Sequence, residues 1–312
     1  MQNRVFIKGF DAICAVGDGM DEIFENMLDK RCKIPQDPKL TVNEQMLYAW
    51  RIADIDAKLA SCIDRALKEV QKDQTALFFV GKEPQGNFKS KTKMQTSSDA
   101  LSAAIEEIKN SKSEYALISA TFEYDATTIL DLYSKGMYSN AVAKPFDIDL
   151  DGMNCSDNVS AVLLSKDGIF EIISFQKANT IQDAIVRVLE LSGTDAKDID
   201  YIEACANGVV SDDKNEAQML SEIFSQEPYV GSSKGFCGHS FESSMLLSIC
   251  MGTIALEENI VFASSFLEHG FTNELNFSYA NRVKILEKIL VNANETEGEY
   301  SSVAIGKICE EQ

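Results

Sequence analysis

The chain has very few histidines and no closely spaced pair of cysteines. Only His239 and His269 occur in 312 residues, and none of the eight cysteines lies between Cys62 and Cys155. The cysteines are scattered, without a CxxC arrangement. Protein zinc sites are built from clusters of these residue types, so the sequence argues against a metal site and indicates no cofactor. We expect reduced, mostly buried thiols in a cytoplasmic protein.

Basic residues are also scarce. The chain has 29 Lys and Arg against 49 Asp and Glu, which gives a formal net charge of −20. Such a charge argues against nucleic acid and anionic membrane surfaces as partners. No apolar run is long enough to span a membrane, and the N-terminus passes at once into a short strand without the apolar region of a signal peptide.

With 45% hydrophobic residues the chain can build a large core. Strand and helix periods alternate, which predicts an α/β architecture. Helical periods lie at residues 20–28, 55–70, 98–108, 181–191, 215–224 and 242–256. Strand-like runs lie at residues 5–7, 76–80, 116–120, 161–164, 170–173, 201–204, 229–231 and 303–308. The segment 245–256 is apolar nearly all round, so we expect that helix inside the protein, between sheets.

Two segments in the second half carry a family resemblance. Residues 201–205 read Tyr-Ile-Glu-Ala-Cys and are followed by Asp-Lys-Asn-Glu at 213–216, while residues 231–239 read Gly-Ser-Ser-Lys-Gly-Phe-Cys-Gly-His. They resemble the two histidine motifs of the β-ketoacyl synthases, Tyr-x-x-Ala-His with Asp-Lys-x-Glu and Ser-x-x-Lys-x-x-x-Gly-His. Lys234 and His239 fit the second motif, whereas Cys205 stands where the first histidine is expected.

The resemblance extends to residues 5–17 and to Lys-Pro-Phe-Asp-Ile-Asp-Leu-Asp-Gly at 144–152. It implies a thiolase-type fold, with two similar βαβαβαββ halves in a five-layered αβαβα arrangement. The halves are expected at residues 1–166 and 167–312. The helices at 98–108 and 242–256 are then the central helices of the two halves.

Ketosynthases carry a nucleophilic cysteine at the N-terminus of the first central helix. The family's spacing places Gln95 at that position, and an amide can neither ionise nor carry an acyl thioester. Glutamine replaces this cysteine in two non-condensing branches of the family, chain-length factors and decarboxylating loading domains. The alternative interpretation is that the spacing differs by a residue or two and Gln95 is a polar loop residue.

The remaining site residues allow two interpretations each. Cys205 is either half of a Cys-His pair with His239 or, as we favour, a small buried residue that fills the space of an imidazole. His239 and Lys234 have either a functional role in the site or a structural role. His269 is expected to lie in a surface loop. The resemblance places Phe236 beside the site and Asn207 at a position where the family has threonine, so both are candidates for substrate binding.

Two further departures concern the loops. The family's closing Gly-Phe-Gly-Gly-Thr-Asn loop is absent, which removes oxyanion donors. Only residues 81–93 stand where the family has a long insertion and a strand that pairs across the dimer axis, so the usual dimer interface is in doubt. The lysines at 82, 89, 91 and 93 form either a solvated loop, which we favour, or a contact for an acyl carrier protein.

These features lead to one main hypothesis. The chain is expected to be a non-condensing subunit of the chain-length-factor kind that pairs with an active ketosynthase in fatty acid, polyketide or polyene biosynthesis. Its partner is that ketosynthase in a heterodimer, or a second copy of itself in a homodimer. The acyl carrier protein is expected to be only an indirect partner. The alternatives are a malonyl-carrier decarboxylase, a thiolase-fold hydrolase or transferase that uses Cys205, and a structural protein without a ligand.

Overall fold

The computed structural model describes residues 4–29, 34–224, 226–296 and 298–308. Cys32 and Cys309 lie outside these ranges. The helices are α1 Met20–Asp29, α2 Ile55–Leu67, α3 Ser97–Lys109, α4 Ala126–Ser134, α5 Ile181–Ser192, α6 Val210–Ile223, α7 Lys234–Cys237 and α8 Ser244–Glu258. The strands are β1 Phe6–Cys14, β2 Gly17–Asp18, β3 Gln36–Val42, β4 Gln45–Trp50, β5 Thr75–Val80, β6 Ser90–Lys93, β7 Tyr115–Phe122, β8 Cys155–Ser156, β9 Asn158–Ser165, β10 Phe170–Ala178, β11 Tyr201–Glu203, β12 Tyr229–Gly231, β13 Ile260–Val261, β14 Asn276–Phe277, β15 Arg282–Val283, β16 Lys288–Thr296 and β17 Glu299–Lys307.

Most strands follow one hydrogen-bonded order, β14-β12-β11-β16-β17-β10-β1-β9-β7-β5-β6. Among the described residues, the part from β1 to β6 and the part from β14 to β10 are joined where β1 pairs with β10, through Phe6 with Glu171 and Ile7 with Phe170. Each part contains antiparallel long strands and shorter parallel ones at its outer end. The two parts are thus two sheets with a narrow connection.

Helices cover both faces of each sheet. Helix α2 packs on β1 and β9, α3 and α8 lie between the two sheets, and α5 packs on β10 and β17 with α6 beside it. This is the five-layered α/β arrangement that the resemblance implies. The largest apolar cluster surrounds α3 and α8, and residues 244–256 of α8 are all buried, as their composition predicts. Within the described ranges no helix has both the length and the hydropathy of a membrane span.

Most of the predicted elements are confirmed, with ends that differ by a few residues. Several polar or short elements escape the sequence pattern, among them the β3–β4 hairpin and α4. The sequence pattern predicts no strand within residues 81–93, whereas in the structure Ser90–Lys93 forms β6 at the sheet edge. All four side chains of β6 are exposed, so no apolar alternation marks it. The predicted division between residues 166 and 167 falls between β9 and β10 and stays a prediction.

Candidate functional site

The N-termini of α3 and α8 meet around the carboxylate of Glu295 in β16. One oxygen of this carboxylate accepts the Ser98 N–H at 2.9 Å. The other accepts the Ser97 hydroxyl and the Met245 N–H, the latter at 3.2 Å, and Ser97 Oγ in turn accepts the Leu246 N–H at 3.1 Å. The first amides of an α-helix have no partner inside the helix, so an anionic side chain at two such ends supplies bonds that both helices need.

Glu295 is deeply buried, with 6% of its surface exposed. Burial raises the pKa of its carboxyl group, while the bonds from Ser97, Ser98 and Met245 act in the opposite direction. Helix α8 has no capping bond from the side chain of its own N-cap residue, Ser243. The Glu295 carboxylate therefore caps α8 and fills the space in front of the first turn of α3.

Gln95 lies outside this buried centre. The N-cap of α3 is Thr96, whose hydroxyl accepts the Asp99 N–H at 3.1 Å, so Gln95 precedes the cap by one residue. Its side chain is exposed and lines an open cavity of about 710 Å³. The same cavity is lined by Phe122 and by several polar residues, among them Lys82 and Glu242. His239 and Phe236 do not line it. The structure thus separates Gln95 from the other predicted site residues.

The four lysines near Gln95 are largely engaged by the chain itself. Lys82 pairs with Asp56 at 3.1 Å, and Lys91 pairs with Glu83 at 3.1 Å. Lys89 donates to the Lys112 carbonyl oxygen at 2.6 Å. Lys93 is exposed on β6. Acidic groups beside these ammonium groups cancel most of their field, so this segment is not the strongly basic surface that an acidic carrier would select.

The loop after β11 is held by the two acids of the Asp-Lys-Asn-Glu motif. Asp213 accepts backbone N–H groups from Asn207 at 2.9 Å, from Gly208 and from Phe146 at 2.9 Å. Burial nevertheless raises the Asp213 pKa to about 7. The Asn207 side chain accepts the Val209 N–H at 2.9 Å and so shapes the start of α6. The loop is fixed by hydrogen bonds within the chain.

Cys205 sits in this loop beside Glu216. The Cys205 N–H donates to Glu216 Oε1 at 3.0 Å, and the other oxygen of Glu216 has no partner among the described residues. Burial and the neighbouring Glu216 carboxylate raise the pKa of the Cys205 thiol well above its usual value. A protonated thiol is a poor nucleophile, so this environment does not activate Cys205. With Asn207 and Tyr300 it lines a cavity of about 10 Å³, enough for one water molecule.

Lys234 and His239 lie close to the same loop. The buried Lys234 ammonium donates to the Ala204 carbonyl oxygen at 3.1 Å and to Ser248 Oγ on α8 at 3.5 Å. His239 Nδ1 lies 3.3 Å from Ser244 Oγ at the start of α8. Burial, with the charge of Lys234, lowers the His239 pKa to about 3, so its imidazole is neutral at physiological pH. Lys234 thus ties the loop after β11 to α8, and His239 contacts the first residue of α8.

Aromatic rings close the space around His239. Its ring lies 4.6 Å from that of Phe241, which in turn lies 5.4 Å from Phe122 at the wall of the Gln95 cavity. Phe236 is buried and packs edge-on against Phe266 at 4.9 Å. Hence Phe122 and Phe241 separate the imidazole from the open cavity, and Phe236 belongs to the core. His269 is exposed, as expected.

The residue that sequence reasoning missed is Glu295. The sequence pattern does not predict the strand that carries Glu295, and the contacts of this residue come from α3 and α8, which are remote in sequence. Within the described residues, no cluster of three or more histidine, cysteine or acidic side chains is arranged to hold a metal ion.

Sequence comparison supports the family resemblance in the second half. Residues 158–267 match the family described as β-ketoacyl synthase, C-terminal domain. The hybrid PKS-NRPS synthetase pynA of Aspergillus niger is 34% identical over 117 residues, which are 35% of this chain and 3% of that protein. The highly reducing polyketide synthase sor1 of Hypocrea jecorina is 33% identical over 121 residues, 36% of this chain and 5% of that protein. The chain therefore spans a few per cent of the length of these curated relatives.

Solved structures match over nearly the whole chain. The ishigamide ketosynthase/chain length factor has a TM-score of 0.87 at 13% identity and covers 99% of this chain and 100% of its own. The ketosynthase ApeO in complex with its chain length factor ApeC from Xenorhabdus doucetiae gives 0.85 at 12%, with 98% of both chains covered. A β-ketoacyl synthase from Burkholderia phymatum gives 0.86 at 16%, covering 99% and 100%. The protein thus has the thiolase-like ketosynthase fold, and its residues 158–267 are similar to the C-terminal domain of β-ketoacyl synthases.

Proposed function

We propose that this chain is a non-condensing ketosynthase-like subunit of the chain-length-factor kind. It pairs with an active β-ketoacyl synthase, contributes to the shape of the space that holds the growing chain, and forms no carbon-carbon bond itself. The proposal includes a role in fatty acid, polyketide or polyene biosynthesis. The observation that carries it is the Glu295 carboxylate at the N-terminus of α3, where the family resemblance expects a cysteine nucleophile.

A carboxylate in this position opposes condensation on physical grounds. A ketosynthase needs a thiolate and free amide donors for a developing oxyanion at the helix end. Here the Ser98 N–H is already bonded to Glu295, and the first residues of α3 are serine and aspartate. The scaffold is retained while the reactive position is filled by the chain itself.

The exposed edge strand β6 supports a partner that docks beside the N-terminus of α3. It ends the strand order next to β5, its side chains are exposed, and it leads directly into Gln95 and α3. An exposed edge strand offers backbone groups that a strand of another chain can pair with. The family has a strand that pairs across the dimer axis at this place. The proposed partner is therefore an active ketosynthase that docks along β6.

The other hypotheses have less support. A decarboxylase needs an imidazole that reaches substrate, whereas His239 is buried behind Phe241 and Phe122. A hydrolase or transferase based on Cys205 needs a thiolate, and burial beside Glu216 raises the pKa of that thiol. The remaining choice is between an active partner and a second copy of this chain.

Co-purification from the native host tests the proposal. The tagged protein should bring down a cysteine-bearing ketosynthase in equimolar amount, identified by mass spectrometry. Thr92→Tyr, which places a bulky side chain on the exposed β6, should abolish this recovery. Gln218→Tyr on the exposed surface of α6, in the outer layer over the other sheet, is the matched control and should leave it unchanged. Recovery of this chain alone, or as a homodimer, would contradict a heteromeric role.

A further inference from the structure

One buried carboxylate has an oxygen for which the chain supplies no donor. The acidic side chains that are buried within the described ranges are Asp11, Asp147, Asp157, Glu203, Asp213, Glu216 and Glu295. In all of them except Glu216, both oxygens accept hydrogen bonds from the chain. Glu216 Oε1 accepts the Cys205 N–H at 3.0 Å, whereas Oε2 has no partner among the described residues. A buried charge without a partner is costly, so this oxygen needs a donor or a cation.

Glu216 lines a small cavity that is rich in oxygen atoms. The cavity has a volume of about 10 Å³ and lies between the loop after β11, the start of α6 and the β16–β17 hairpin. The lining side chains that carry oxygen are those of Asn207, Asp212, Asn215, Glu216, Asn294 and Tyr300. The other described lining residues are Ile181, Cys205 and Ala206, so the lining includes no cationic side chain, and a thiol is only a weak donor. The surroundings of Oε2 thus offer ligands for a cation and no opposite charge.

The charges around the loop favour a cation over a neutral guest. Asp212, Asp213 and Glu216 place three acidic groups within two turns of α6 or just before them. The nearby positive charge is that of Lys234, but its ammonium group donates to the Ala204 carbonyl oxygen at 3.1 Å and not to Glu216. A water molecule in the cavity would give Oε2 a hydrogen bond and leave the local negative charge unchanged. A cation satisfies the oxygen and compensates the charge together.

The size of the cavity and its ligands select a monovalent ion. Space for one water molecule leaves no room for the hydration waters that Mg²⁺ usually keeps. Calcium sites use several carboxylates, and the described residues hold no cluster of three or more histidine, cysteine or acidic side chains suited to a metal ion. Potassium is close to a water molecule in size, and neutral protein oxygens can replace its hydration shell. One buried carboxylate with amide and phenol oxygens fits that ion best.

We propose that the cavity beside Glu216 binds one potassium ion. Glu216 Oε2 supplies the negative charge, and the side-chain oxygens of Asn207, Asn294 and Tyr300 are further ligands. Asn294 and Tyr300 are cross-strand partners in the β16–β17 hairpin, while Asn207 belongs to the loop after β11. The ion therefore fastens this loop to the hairpin. The proposal is independent of the proposed function, because it concerns the stability of the fold and neither a partner chain nor bond formation.

Thermal unfolding of the whole chain in mixed chloride salts tests this inference. Tetramethylammonium, which is too large for the cavity, is exchanged for potassium at constant total salt, so that general screening stays the same. A ligand that binds only the folded state stabilises it in proportion to its occupancy. We expect the melting temperature to rise by several degrees with potassium and then to level off. Equilibrium dialysis followed by atomic emission should find one bound potassium ion per chain.

The decisive variant is Glu216→Gln. The glutamine can keep Oε1 for the Cys205 N–H, and it replaces Oε2 by an NH2 group that repels a cation. This variant should lose both the rise in melting temperature and the bound potassium. Glu190→Gln, at an exposed position of α5, removes the same charge and is the matched control that should keep both. Tyr300→Phe removes one ligand and should need a several-fold higher potassium concentration for half of the rise.

Two results would overturn the proposal. One is a wild-type melting temperature that is the same in potassium and tetramethylammonium at every ratio, which means that the cavity holds water only. This result needs no variant, so it stands even if Glu216→Gln fails to fold. The other is an equal rise and equal bound potassium in Glu216→Gln and wild type, which would show that potassium acts elsewhere on this acidic chain.

Discussion

The Glu295 carboxylate accepts the Ser98 amide hydrogen at 2.9 Å, and through this bond β16 is tied to the first turn of α3. The same side chain accepts the Met245 N–H of α8 at 3.2 Å. One residue near the end of the chain therefore joins the central helices of both sheets, at the position where the family resemblance expects a reactive cysteine.

Removal of the Glu295 carboxylate should destabilise the fold. In Glu295→Ala the N–H groups of Ser98 and Met245 lose their partner in a buried place, and each orphaned donor costs roughly 1–3 kcal/mol. Glu295→Gln should also destabilise, because its NH2 group would face N–H donors. Urea unfolding measures both changes, and Glu274→Gln at an exposed position is the control. Wild-type stability in the alanine variant would show that the contact is dispensable.

His239 and Asp213 should make opposite contributions to the pH dependence of the free energy of unfolding. Folding lowers the His239 pKa from 6.5 to about 3, so the unfolded state binds more protons and stability falls as pH falls below about 6.5. Folding raises the Asp213 pKa from 3.8 to about 7, so stability rises as pH falls from about 7. Each effect has a slope of at most about 1.4 kcal/mol per pH unit. The two slopes oppose each other between pH 6.5 and 4.

The variant His239→Gln removes the contribution of His239 to the pH dependence of stability and leaves the contribution of Asp213. The free energy of unfolding of this variant should therefore rise relative to wild type as pH is lowered from 7 to 5, as measured by urea unfolding at several pH values. Asp213→Asn should show the opposite trend. His269→Gln, at an exposed position, is the control and should follow wild type. A constant difference between His239→Gln and wild type would mean that the imidazole is not held neutral by burial.

Gly238 should not tolerate a side chain. Its φ is +80°, and a Cβ atom would lie 2.7 Å from Ser156 N, closer than real contacts allow. Gly238→Ala is expected to lower stability by more than about 2 kcal/mol, since backbone strain and overlap add. Gly193→Ala is the matched control, because Gly193 has a φ of +63° with nothing within 4 Å of its Cβ position. It should lose only about 1 kcal/mol. Equal losses in both variants would contradict the packing around Gly238.

Cys205 should be unreactive in the folded protein. Its thiol is buried, and Glu216 holds its pKa above the usual range. Treatment with iodoacetamide at pH 7.5 should leave Cys205 unmodified over hours, whereas the same treatment in urea should modify it fully. Peptide mass spectrometry measures the modified fraction. Rapid alkylation of Cys205 in the folded protein would revive the hypothesis of a Cys205-based enzyme.

The parts of the fold that sequence could predict are those with a strong apolar period. Residues 242–256 indicate a buried helix between sheets, and α8 occupies that place. Strand β6 reads Ser-Lys-Thr-Lys and gives no such signal, because an exposed edge strand has no buried face. Likewise β3 contains Pro38 and lies mostly exposed, so its pattern resembles a loop.

The site was harder to predict than the fold. Lys234, Cys205 and His239 lie in one region, as their motifs imply. The family's spacing fixes the position of Gln95 only to within a residue or two, and a shift of one residue separates an exposed loop from a helix cap. Glu295 could not be inferred because its partners come from α3 and α8, and only tertiary packing brings them together.

Intact-mass spectrometry of the purified chain with acyl and malonyl thioesters of an acyl carrier protein tests whether the chain has any condensing activity of its own. We expect no acyl adduct on the protein and no condensed or decarboxylated product, at any concentration of the chain alone. An adduct that maps to a residue of this chain, or a β-ketoacyl product formed without a second protein, would contradict it.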